Sequence, residues 1–209
     1  IIHDLFGVGK NLRDHYNVRL TGRVKNISTI NEQSRGLPLI KEIIKYDLEP
    51  SLYSFYFLDN LIDYLNSKKI EKHLCHFKIN TGLNRVGFNE KESEKAINKI
   101  KNCNAIKLVS IYSHLAATDD SQESNFTISQ INLFKEISSN RKSQLSYSPI
   151  LHMSNTSGIY NYPDCEFDMV RSGIGLYGYN NELNKELRPV HTLKSVSYTH
   201  LTLPTRFSV

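Results

Sequence analysis

The chain has 209 residues, 39% of them hydrophobic and 22% charged, with a formal net charge of +5. This is the composition of a globular chain of one ordinary domain or two small ones, shorter than a complete (β/α)₈ barrel of about 250 residues. No apolar run approaches the roughly 18 residues of a spanning helix, and Lys and Arg are interspersed with acids, so neither a membrane nor nucleic acid is expected as a partner.

Residues 1–46 read as loop with two Gly-containing turns, closing on a short helix over Leu37–Tyr46 whose Leu39, Ile40, Ile43 and Ile44 recur at helical spacing after Pro38. Alternation begins near Asp47. Asp59–Leu65 reads as a helix, Leu74–Ile79 as a strand, Glu90–Ile100 as a charged helix and Leu108–Tyr112 as a second strand. Thr127 is placed as the cap of a helix through Ile131, Phe134 and Ile137. Ile150–Met153 and Met169–Tyr177 are further short apolar runs. Strand and helix in alternation predict parallel βα units, whose chemistry lies in the loops after the strands. Cys75, Cys103 and Cys165 are odd in number, widely spaced and without a CxxC pair, so buried or idle thiols are expected, with no metal. Without a charged segment followed by an apolar stretch at the start, a cytoplasmic location is expected. Because the first residue is Ile1, the chain is expected to begin inside a gene.

Four units carry candidate chemistry. In HFKINTGLNRVGF, residues 76–88, a strand delivers Lys78 and Arg85 to one rim, although Asn-Thr-Gly also reads as a plain turn and Lys78 as a solvated end. SIYSHLAATDD, residues 110–120, puts His114 at a strand's carboxyl end, where a histidine is more often packed or solvated than catalytic; Asp119 and Asp120 start the following loop. HMSNTSGIYNYP, residues 152–163, gathers Ser154 to Gly158 into a loop that suits an oxyanion or phosphate, or is simply a loop. DMVRSGIGLYGY, residues 168–179, sets Arg171 in a strand-like run with Gly173, Gly175 and Gly178, and an arginine among them needs an anionic or acceptor partner.

In this order and spacing the four units resemble alanine racemase, a fold-type III pyridoxal phosphate enzyme, over about residues 48–195. The text PSLYSF and SHLAATDDSQESNFT is similar to racemases fused to a cell-wall ligase. The resemblance implies an α/β fold: a partial (β/α)₈ TIM barrel of the alanine racemase N-terminal type, without the first strands and the C-terminal β-domain. It implies pyridoxal 5'-phosphate as cofactor, alanine as substrate, D-alanine supply for peptidoglycan and a homodimeric parent. It assigns Lys78 to the carbamylated lysine that orients Arg85, and Arg85 to the cofactor's phenolic oxygen. His114 packs on the pyridine ring and bonds toward Arg171, which faces the pyridine nitrogen. Asn155, Thr156, Gly173 and Ile174 hold the phosphate. Thr156 stands where the family usually has serine, and Asn80 where it has aspartate. The family's Schiff-base lysine precedes the matched text and its opposing tyrosine follows it, so no catalytic base is expected here and the chain is expected to be an inactive fragment.

HDLFGVGKNLRDHYNVRLTGRVKNISTINEQSRGLPLIKEIIKY resembles an internal part of a glucose-methanol-choline flavin oxidoreductase, whose text there is LPGVGxNLxDH, with Gly7, Gly9, Asn11, Asp14 and His15 matching and Phe6 departing. An FAD-dependent alcohol or choline oxidoreductase fragment is the alternative it implies; a non-catalytic pyridoxal phosphate barrel is another. SYTHLTLPTRFSV resembles translated adaptor sequence. The expected division is therefore residues 1–46, not an independent domain; residues 47–196, the barrel fragment; and residues 197–209, a non-native tail.

Overall fold

The computed structural model describes residues 36–179 and 187–190; the flavin-like motif from Gly7 to His15 and the tail from residue 197 lie outside them. Four parallel strands form one sheet in sequence order: β1 Ser51–Leu52, β2 His73–Lys78, β3 Ile106–Tyr112 and β4 Ile150–His152. Helices alternate with them: α1 Gly36–Lys45, α2 Phe55–Ser67, α3 Glu90–Lys101, α4 Ser124–Ser143 and α5 Thr156–Asn161. Four consecutive parallel strands with helical crossovers make an arc of a (β/α)₈ barrel, as expected from the sequence.

Local chemistry sets the helix ends. Ser54 caps α2 by accepting from Phe57 N at 3.3 Å. Asn89 and Glu92 form a reciprocal capping box on α3, with Glu90 and Glu92 in its first turn and Lys99 and Lys101 in its last, each sign matching the helix dipole. Two sequence expectations are corrected here. Thr127 is not a cap: it lies inside α4, fully buried, its hydroxyl donating to Ala117 O at 3.3 Å, while Asp120 caps the preceding 3₁₀ turn Ser121–Glu123. Met169–Tyr177 is not a strand. A single bridge from Met169 to His152 leads into a 3₁₀ turn at Ile174–Tyr177, where the N–H groups of Gly173 and Gly175 donate to Thr156 Oγ1 instead of to a neighbouring strand.

One core runs along the helix side of the sheet. Ile40 and Ile43 of α1 join Leu58, Leu61 and Leu65 of α2, Phe77 of β2, Ile97 of α3, Ile111 of β3 and Phe134 of α4 in a single buried cluster. Phe77 and Phe88 stack with centroids 5.0 Å apart. Strand alternation turns the partners of these residues to the other face. There His76, Lys78, Ser110, Tyr112 and His152 line the surface that a closed barrel directs inward, together with half-exposed Leu74 and Ile150. The β2–β3 ladder skips one residue: Cys75 pairs with Leu108 and His76 with Ser110, leaving Val109 without a partner. That irregularity sets Ser110 beside His76 on the inner face.

Phe77→Ala is expected to lower unfolding free energy by about 3–5 kcal/mol through the cavity it leaves. Tyr56→Ala, at a side chain 71% exposed, is expected to stay within about 0.5 kcal/mol of the parent. Denaturant titration of the two variants side by side checks this; equal losses would contradict the core described.

Candidate functional site

The carboxyl ends of β2, β3 and β4 converge on one cavity of about 560 Å³. Its lining includes Arg85, His114, Asn155, Thr156, Arg171, Gly173 and Ile174, every cofactor-contact residue expected from the sequence. Lys78 lies beneath, 5% exposed at the end of β2. The solvated-end reading of Lys78 is therefore wrong: its ammonium sits over the Tyr112 ring, 4.7 Å from the centroid.

Arg171 is the centre of the cluster. Its backbone is tied to the segment just after β4 by Arg171 N donating to Ser154 O at 3.0 Å. Its Nη1 donates to His152 Nδ1. Its Nη2 donates to Ser113 O at 2.7 Å and to His114 Nδ1 at 3.1 Å. The Tyr112 ring lies 5.2 Å from the guanidinium carbon and stacks on His152 at 4.9 Å. The expected pairing of Arg171 with His114 is present. Arg171, His152 and Tyr112 were joined only by the tertiary structure; sequence reasoning left His152 and Tyr112 without roles, and the available signal was that both end apolar strands.

The HMSNTSG segment is not a plain loop. Asn155 caps α5, its side-chain oxygen accepting from Gly158 N and from Thr118 Oγ1, both at 2.9 Å. The Asn155 carbonyl is thus committed to the cap. Thr156 Oγ1 accepts from Gly173 N at 2.9 Å and Gly175 N at 3.1 Å, locking the 171–175 segment against the start of α5. A Cβ at Gly175 would stand 2.8 Å from Thr156 Cγ2, so only glycine permits this approach, whereas a Cβ at Gly173 meets nothing nearer than 3.8 Å. Behind them, Ser113 donates to Ile79 O at 2.9 Å and is paired with Thr81 at 2.7 Å, which fixes the β2 and β3 ends to each other. Asn80 folds the next turn, accepting from Gly82 N and Asn84 N. Its amide does this without charge, and Arg85 beyond it is exposed.

Burial and mutual repulsion leave the basic groups of this site easy to deprotonate. Burial, then Arg171 and Arg85, lowers Lys78 to about 8. Burial, then Arg171, Lys78 and Arg85, lowers His114 to about 4. Burial, then Arg171, His76 and Lys78, lowers His152 to about 3. Both imidazoles are therefore neutral at pH 7 and able to accept from Arg171, whose own value burial also lowers.

These shifts have a sign in stability. Both histidines bind protons less readily folded than unfolded, so the unfolded state gains protons first on acidification. Their contribution is fully present above about pH 6.5 and is lost as pH falls toward the folded values near 4 and 3. His152→Gln, which can accept from Arg171 but does not titrate, is expected to flatten the loss of melting temperature between pH 7 and pH 4; thermal scans across that range test it, and an unchanged slope would refute it.

The family described as alanine racemase, N-terminal domain, matches residues 25–181, starting upstream of residue 47. Alanine racemase of Treponema denticola is 34% identical over 170 residues, covering 77% of this chain and 44% of that protein. That of Fusobacterium nucleatum is 36% identical over 161 residues, covering 68% and 44%. Among solved structures, alanine racemase of Clostridium difficile 630 in complex with cycloserine superposes with a TM-score of 0.64 at 30% identity, over 72% of this chain and 42% of that one. The Bartonella henselae alanine racemase with covalently bound pyridoxal phosphate gives 0.57 at 27% identity, over 68% and 39%. The chain spans less than half the length of these relatives. On sequence and on fold together, the chain belongs to the alanine racemase family, as part of its N-terminal barrel domain.

Proposed function

We propose that these residues form the cofactor-gripping part of a pyridoxal 5'-phosphate-dependent alanine racemase. The observation that carries the reading is the convergence of Arg85, His114, Asn155, Thr156, Arg171, Gly173 and Ile174 on one cavity above buried Lys78. The donor set suits the group. The Thr156 hydroxyl and the side-chain-free approach at Gly173 suit a phosphate, and Arg171 supplies a donor that keeps its proton for a ring nitrogen.

Pyridoxal phosphate, when bound, supplies an electron sink for the pair left at the α-carbon of alanine as its proton departs. The protein's own residues set how strong that sink is. Arg171 holds its proton and is clamped by His152 and the Ser113 carbonyl, so it offers a hydrogen bond without transferring a proton. His114, neutral and held at Nδ1, presents an uncharged ring face. Arg85 takes the phenolic oxygen, and Lys78, the position that matches the carbamylated lysine, stands where its lowered affinity for protons favours reaction as a free amine. The substrate is alanine, the parent works as a homodimer in the cytoplasm, and its product feeds peptidoglycan. In this reading residues 47–196 belong to the barrel fragment, together with α1, whose Ile40 and Ile43 share its core, and residues 197–209 are not native to it. The matched motifs contain neither the Schiff-base lysine nor the opposing tyrosine, so the 209 residues alone bind cofactor but do not racemise.

Two outcomes test this. Pyridoxal 5'-phosphate is expected to bind the chain non-covalently, displaced by inorganic phosphate. Thr156→Ala is expected to weaken it about fivefold, the worth of one hydrogen bond; pyridoxal without phosphate binding equally well would sink the reading. A coupled assay for D-alanine should find no saturable turnover above free cofactor, because general acid-base catalysis worth about 10² to 10⁴ lacks its bases.

A further inference from the structure

We propose that Glu49, His76 and Ser110 are positioning residues for Arg171, forming with His152 a one-way chain of hydrogen bonds from the site to the outer rim. Glu49 Oε2 stands 3.0 Å from His76 Nε2, and His76 Nδ1 2.6 Å from Ser110 Oγ. Ser110 Oγ stands 3.0 Å from His152 Nε2, and His152 Nδ1 meets Arg171 Nη1. The four residues outward from Arg171 come from the segment before β1, from β2, from β3 and from β4, so the chain crosses the inner face of the whole sheet.

Its direction follows from the two ends. A guanidinium only donates, so His152 Nδ1 accepts and its proton resides on Nε2. That Nε2–H donates to Ser110 Oγ. The hydroxyl has one proton, which goes to the remaining partner, His76 Nδ1. His76 is then protonated at Nε2 and donates to Glu49, and an ionised carboxylate only accepts. Every link has one donor and one acceptor. Reversing His152 sets two donors against each other in the buried part of the chain, and reversing His76 sets its bare Nε2 against the Glu49 carboxylate. The Glu49 side chain is 42% exposed and His76 26% exposed, whereas Ser110 is fully buried and His152 nearly so. The chain thus carries the constraint of a surface carboxylate into a buried cluster. Val109's unpaired position in β3 places Ser110 in line with His76. The proposal deepens the cofactor reading and rests on it only for what Arg171 then holds.

The full 209-residue chain, labelled with ¹⁵N-histidine, gives the tautomers directly from two-bond ¹H–¹⁵N correlations. His76 and His152 are expected with their proton on Nε2 and with Nδ1 bare, without any ligand; a proton on Nδ1 of either overturns the chain. In Ser110→Ala the His152 Nε2–H resonance is expected to be lost to exchange with water, and Ser110→Thr to restore it; persistence in the alanine variant overturns the proposal. If Ser110→Ala does not fold, Glu49→Leu at the rim decides: His76 should populate both tautomers, and an unchanged His76 refutes the anchor. Pyridoxal 5'-phosphate affinity should fall about fivefold in Ser110→Ala and return in Ser110→Thr. A wild-type chain that shows these tautomers yet binds no pyridoxal phosphate refutes the cofactor reading and leaves the chain of bonds standing.

Discussion

A guanidinium that cannot give up its proton and cannot accept one organises this molecule's chemical face. Arg171 is half-buried, so the donors it turns into the protein need acceptors. The sheet provides them as the Ser113 carbonyl at the end of β3 and two imidazole nitrogens from His114 and His152. Those imidazoles accept only while neutral, and the positive charge they surround, together with burial, keeps them so. Tyr112 completes the arrangement as an apolar wall between Arg171, Lys78 and His152.

Such a cluster of like charges is tolerable because the core that carries it is independent. The helix side of the sheet holds Phe77, Leu108, Ile111 and Phe134 in continuous apolar contact, while the polar residues alternate onto the opposite face. The carboxyl ends of the strands are bound to one another by side chains instead of ladder bonds alone. Ser113 spans to Ile79 and Thr81, Asn155 to Thr118, and Thr156 to Gly173 and Gly175. These ties place the rim with more rigidity than its short strands could supply.

Much of the architecture was legible because its signals are local. The spacing of Ala96, Ile97 and Ile100 marks α3, and the strand runs around Phe77 and Ile111 mark β2 and β3. Where a tertiary contact overrode the local signal, the reading failed. Thr127 has the chemistry of a cap but is drawn into the interior by Ala117, and the apolar run around Arg171 bends into a 3₁₀ turn to meet Thr156.

The sequence by itself determined the alternating βα order, the family text and the set of residues at the strand ends, since residue type and spacing along one chain are enough for these. Only the tertiary structure decided that His152 and Tyr112 join Arg171, that Lys78 is buried, and that Glu49, His76 and Ser110 line up behind them. These depend on register between strands far apart in sequence, including the one-residue offset at Val109, and no property of a single strand encodes which residue of its neighbour it will face.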